Sequence, residues 1–159
     1  MARKPKPSKK PERPTKSRVP AKRAGLDEAQ GKFAAADVVA AIFSAYDYKC
    51  AFTGKSLRNE AMIDPRGYLL NLGGDPLNDD PTLLIPATLD AIFAFERGHL
   101  AIGPRYNFLI DLEYVDPEFA EGLNPIGRLS MPSDRSLAPS IAALTPHLIA
   151  FATGRRSRS

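Results

Sequence analysis

The stretch TLLIPATLDAIFAFERGHLAI, from Thr82 to Ile102, constrains the fold more than any other part of the chain. Its apolar run Thr82-Leu83-Leu84-Ile85-Pro86 reads as a short strand that passes straight into a helix over Ala87 to Gly98, where the glycine ends it. His99-Leu100-Ala101-Ile102 follows at once as another strand. Helix and strands in such close succession make this a mixed α and β chain.

The flanking segments supply the remaining elements. Leu26 to Tyr48 predicts an amphipathic helix: Asp27 and Glu28 suit its positive N-terminal end, and Val38, Val39, Ile42, Phe43 and Tyr46 share one face. Lys49 to Gly54 reads as a strand closed by a Thr-Gly turn. Tyr68 to Leu72 is a strand, followed by a Gly73-Gly74-Asp75-Pro76 loop. The glycine pair lacks the following Lys-Ser/Thr and helix start of a phosphate cradle, so it is read as a plain loop. Tyr106 to Ile110 alternates as a strand with one buried face, Pro117 to Leu123 is a short helix, and Gly127 to Pro132 is one more short strand. Pro139 to Thr153 forms the last helix, with Ile141, Leu144, Leu148 and Phe151 as its core stripe. Pro146 is expected to kink or restart it behind Thr145, and Gly154 to end it.

Charge is distributed unevenly. The net +4 conceals an N-terminal arm, residues 1–25, whose only acid is Glu12 and whose basic residues are Arg3, Lys4, Lys6, Lys9, Lys10, Arg13, Lys16, Arg18, Lys22 and Arg23. This Pro-rich arm is too polar to offset its ordering entropy, so it is predicted to be disordered. Its basic residues are the candidate nucleic-acid contacts, acting by counterion release without reading sequence. Residues 155–159 form a second basic tail. The intervening body, 26–154, is one domain, and between residues 26 and 153 it carries a balance of −8. The expected partners are therefore DNA or RNA for the arm and a protein for the acidic body. No apolar run reaches the roughly 20 residues of a membrane span. The basic start has no apolar segment behind it, so it is not a secretory signal, and a cytoplasmic location follows as the default. The one cysteine, Cys50, excludes an intrachain disulfide and a cysteine zinc cage, and it is expected to be buried.

Several motifs together resemble the core of an HNH endonuclease domain. Cys50-Ala51-Phe52-Thr53-Gly54 resembles the Cys-x-x-Thr-Gly of a restriction-enzyme-related branch. Ala61-Met62-Ile63-Asp64-Pro65 is similar to that family's Ala-His-Ile-x-Pro, Leu83-Leu84-Ile85 to its strand, Glu96-Arg97-Gly98 to its Asp-x-Gly, and Leu144-Thr145-Pro146-His147 to its C-terminal Leu-x-x-His. The resemblance implies an α+β fold, with a ββα-metal core flanked by N- and C-terminal helices. In the family a histidine base, an orienting asparagine and a second histidine beside a divalent metal cut DNA. Here those three positions fall on Met62, Pro81 and Asp90. If the alignment gap is moved, Ile92 replaces Asp90. Met62 cannot take a proton at neutral pH and is expected in the core. Asp64 is read as a turn residue, and Asp90 as a helix-surface carboxylate that is at most a weak site for a cation such as Mg²⁺.

These observations lead to the expectation of a catalytically degenerate HNH-like protein with no catalytic residue, metal ligand or cofactor assigned, serving as a nucleic-acid-binding or protein-interaction subunit. Two alternatives stand beside it: a divergent metal-dependent endonuclease using Mg²⁺, and an interaction or inhibitor protein with no nucleic-acid role.

Overall fold

The computed structural model describes residues 36–75 and 78–158, with side chains to residue 154. The chain divides into two units, Met1–Ala36 and Asp37–Ser159. The basic arm, and the expected helix up to Ala35, lie outside the described residues.

The second unit is mixed α+β, with five helices and two small antiparallel sheets among the described residues. Helix α1 covers residues 36–45 and buries Val39, Ile42 and Phe43, as the apolar spacing predicts. It ends because Asp47 and Tyr48 turn into the left-handed region, at φ 56° and 54°. This uncommon pair is braced by Arg58, whose guanidinium lies 3.2 Å from the Asp47 carboxylate and 4.8 Å from the centre of the Tyr48 ring.

Next come a tight turn over residues 49–56 and the short helix α2, Arg58–Ile63, which buries none of its residues. Strand β1, Leu69–Asn71, pairs antiparallel with β2, Leu84–Pro86, in the register Leu70↔Ile85. The ladder runs one bond further at each end, through Leu72 N–H to Leu83 O and Ala87 N–H to Tyr68 O. Pro86 sits at the strand end, where its missing N–H costs no ladder bond, while its carbonyl accepts from Ala51 N–H at 2.9 Å. Helix α3, Leu89–Glu96, follows directly. Thus β1, β2 and α3 form a strand–strand–helix succession.

Strands β3, Leu100–Ile102, and β4, Phe108–Ile110, make the other sheet. Their turn forces Tyr106 to φ 62°, and the phenol of that residue donates to Pro139 O at 2.8 Å. The expected strand at Gly127–Pro132 contributes only an isolated bridge, Asn107↔Arg128. Helix α4 spans Pro117–Gly122 and α5 spans Ile141–Arg158.

Two expectations for the C-terminus are corrected. Pro146 does not restart the helix. The Ser140 hydroxyl accepts from Ala143 N–H at 3.1 Å and starts α5 well upstream, and Thr145, far from capping, is internal and donates its hydroxyl to Ile141 O at 2.8 Å. Nor does Gly154 end the helix, which continues to Arg158. A glycine inside a helix costs only about 1 kcal/mol, and the arginines beyond it are good helix formers.

Phe43, Phe52, Ile42, Leu57, Leu70, Ile85, Leu100 and Leu144 are almost wholly buried in one core, each contributing roughly 1.5–3 kcal/mol by burial. No helix among the described residues is long and apolar enough to cross a membrane.

Candidate interaction groove

The outer face of α3 is held in place by the turn before it in the chain. Lys49 bridges Ser56, and Cys50 N–H donates to Lys55 O at 2.8 Å, closing the turn around a fully buried Cys50. The Cys50 sulfur accepts from Thr88 N–H at 3.3 Å, and the Thr88 hydroxyl accepts from Ala91 N–H as the helix cap. Cys50 is buried, as its chemistry suggests, and it also fixes the entry of α3.

The exit of α3 is equally defined. Gly98 takes φ 79°, its N–H donates to Phe95 O, and His99 N–H donates to Ala94 O at 2.9 Å, the paired bonds of a left-handed helix end. Ala91, Ile92, Ala94 and Phe95 face the core, so Asp90, Phe93 and Arg97 face outward.

A groove of about 530 Å³ runs along this outer face. Asp90, Phe93 and Arg97 line it from α3, with Phe93 45% exposed and the Arg97 guanidinium 5.2 Å from its ring centre. From the other side come Tyr114, Asp116 and Glu118. Tyr114 is 47% exposed and stacks on His99 with ring centres 5.0 Å apart. Asp116 caps α4 by accepting from Glu118 N–H at 2.9 Å. Lys55 joins the lining from the turn. The groove therefore offers half-open aromatic faces beside carboxylates and two fixed cations.

A second cleft, about 540 Å³, lies among β1, β2 and Glu96. Two of its polar side chains, Asn71 and Arg66, hold the neighbouring loop. Asn71 donates to Asp75 O and accepts from Gly73 N–H, and Arg66 donates to Asn78 O.

Of the three family-equivalent positions, only Asp90 reaches the groove. Met62 is 82% exposed on α2, a correction to its expected place in the core: that helix rests on the core through the half-buried Ala61 and turns Met62 to solvent. Pro81 opens the turn Pro81–Leu83, capped by the Asp80 side chain. Ile92, the alternative to Asp90, is buried and apolar. Asp64 is a turn residue whose carboxylate accepts from Gly67 N–H at 3.2 Å. His147 packs against Phe95, and burial lowers its pKa. Among the described residues no three of His, Cys, Asp and Glu gather where they could hold a metal ion, so the side chains present do not fit the divalent cation of the resembled family. The ten basic arm residues lie outside the described residues.

Sequence reading gave Phe93, Arg97, Tyr114 and Glu118 no site role. The available signal was α3 itself, where Leu89 and Phe93 add apolar side chains to a face opposite the buried one. Comparison with protein-family models, with curated proteins and with solved structures found no match.

Proposed function

We propose that the chain is a catalytically degenerate HNH-endonuclease-like protein, working as a binding subunit whose basic arm contacts DNA or RNA and whose acidic body contacts a protein. The observation that carries this reading is the order β1, β2, α3, with an exposed Met62 at the position of the resembled family's base and Asp90 at the position of its second histidine. That order is the one the resemblance calls for. A thioether in solvent cannot take the proton that the resembled family's histidine takes, and Asp90 stands where that family has an imidazole. The net −8 of residues 26–153 makes the body a poor surface for phosphates, which leaves the arm as the nucleic-acid contact.

The test is a plasmid-nicking assay with Mg²⁺, Mn²⁺ or Zn²⁺, run beside DNA binding at increasing salt. No nicking is expected. DNA binding should weaken steeply with salt, and should be lost when the ten Lys and Arg residues of the arm are changed to Gln. Metal-dependent nicking abolished by Asp90→Ala would overturn the reading in favour of a divergent nuclease. Salt-sensitive DNA binding that survives neutralising the arm would overturn the arm's role.

A further inference from the structure

We infer that residues 58–68 form a strap that opens while the rest of the unit stays folded, with Arg58 as its latch, and that its opening moves one wall of the cleft beside β1.

The strap hangs between two firm points. Leu57 is 1% exposed and its N–H donates to Tyr48 O, while Leu69 is buried at the start of the β1–β2 ladder. Between them lie α2 and the turn Pro65–Tyr68, and no residue of either is buried. The strap rests on the core through the half-buried Ala61 and Tyr68. Met62 and Ile63 are 82% and 86% exposed, so opening takes neither of them out of an apolar setting. Among the described residues, the backbone–backbone hydrogen bonds of residues 58–65 stay within the strap or reach back to Leu57: Ala61 N–H donates to Leu57 O, Asp64 N–H to Glu60 O, and Asp64 O accepts from Gly67 N–H. A segment with so little burial and with self-contained backbone bonds opens at a small fraction of the cost of unfolding the unit.

What holds the strap at its start is a guanidinium. Arg58 lies 3.2 Å from the Asp47 carboxylate and 4.8 Å from the centre of the Tyr48 ring. Both of those residues occupy the left-handed region, so the strap is latched to a strained turn. The Arg58 and Asp47 side chains are 60% and 71% exposed, which leaves the latch open to screening by salt. Lys49 also pairs with Asp47, at 3.7 Å, so releasing Arg58 does not strand the carboxylate. At its far end the strap supplies Arg66 and Gly67 to the cleft of about 540 Å³, opposite Leu69, Asn71, Leu84 and Glu96. Movement of the strap therefore changes access to the β1–β2 side of that cleft.

The test is amide hydrogen exchange of the full chain by NMR, in increasing urea below the unfolding transition. The Ala61 and Asp64 amides should exchange at least about a hundredfold faster than those of Ala51 and Ile92, and with little dependence on urea, since local opening exposes little surface. Arg58→Gln should speed the strap amides about fivefold, because the latch breaks in the opening itself. High salt should speed them in the parent and not in Arg58→Gln. Asn124→Ala, which loosens the unit elsewhere, should speed Ile92 and leave the strap amides unchanged. A Leu84→Cys thiol should react with a thiol reagent far faster than the buried Cys50, at a rate that rises with Arg58→Gln; thermal melts verify that each variant is folded. Strap amides that follow Ile92 in rate and urea dependence, or that speed up with it in Asn124→Ala, would overturn the strap. Strap rates unchanged in Arg58→Gln would overturn the latch. A Leu84→Cys thiol as slow as Cys50 would overturn the link to the cleft.

Discussion

The imidazole of His147 lies 4.6 Å from the Phe95 ring and is tilted 45° to it, joining α5 to the buried side of α3. Burial holds its pKa below the ordinary 6.5. The native state therefore keeps this histidine neutral at a pH where the unfolded chain takes up a proton, so stability rises with pH across that window. Its contribution is complete above 6.5 and is lost as pH falls through that value. Thermal melts at about pH 5 should give a lower Tm than at about pH 7.5, and His147→Gln should remove part of the difference. An unchanged pH profile in the variant would show that other groups carry it.

Tyr46 is 6% exposed, and among the described residues its hydroxyl has no hydrogen-bond partner. Burial, with Tyr106 nearby, pushes its phenol well above the ordinary 10.0. A buried hydroxyl without a partner costs roughly 1–3 kcal/mol, so Tyr46→Phe should leave stability unchanged or raise it by about 1 kcal/mol in urea unfolding. A loss of that size would mean that the hydroxyl is satisfied in solution.

Asn124 fastens the last third of the unit to the Cys50 turn. Its side-chain amide shares two protons among Ala51 O, Arg128 O and Ser130 Oγ at 2.9–3.0 Å, while its backbone N–H donates to Phe52 O at 2.8 Å. Asn124→Ala leaves those acceptors short of a donor and should cost about 2 kcal/mol, read as a lower midpoint with an unchanged slope in urea.

Gly98→Ala isolates backbone strain from crowding. A Cβ at this position meets no atom within 4 Å, yet φ is 79°. The variant should lose about 1 kcal/mol from the left-handed penalty alone. Gly98→Asn should lose less, since asparagine tolerates this conformation better. Equal losses would point to something other than φ.

How much of this architecture can be read from residues alone depends on how local its causes are. The buried stripe of α1, the strand at Leu84–Pro86 and the glycine end of α3 follow from spacing and from one residue's backbone freedom. The exposure of Met62 does not: an apolar residue beside Ile63 reads as core until the short α2 is found to turn both to solvent. Pro146 reads as a break, because the effect of a Ser140 cap and a Thr145 hydroxyl on the preceding turn appears only in three dimensions. The role of Asn124 joins positions as far apart as Ala51 and Ser130, and the groove draws Lys55, Phe93 and Tyr114 from three separate stretches. Contacts of that kind leave no periodic trace.

Every strand in the two sheets is only three residues long. Two-stranded ribbons of that size are not stable in water by themselves, so each needs a helical backing to exist. For β3 that backing includes α3 and α5. A cut within α5 would accordingly not yield a trimmed version of the same body. It would release β3, and with it the footing of α3, so the unit gives way as a whole rather than fraying piece by piece.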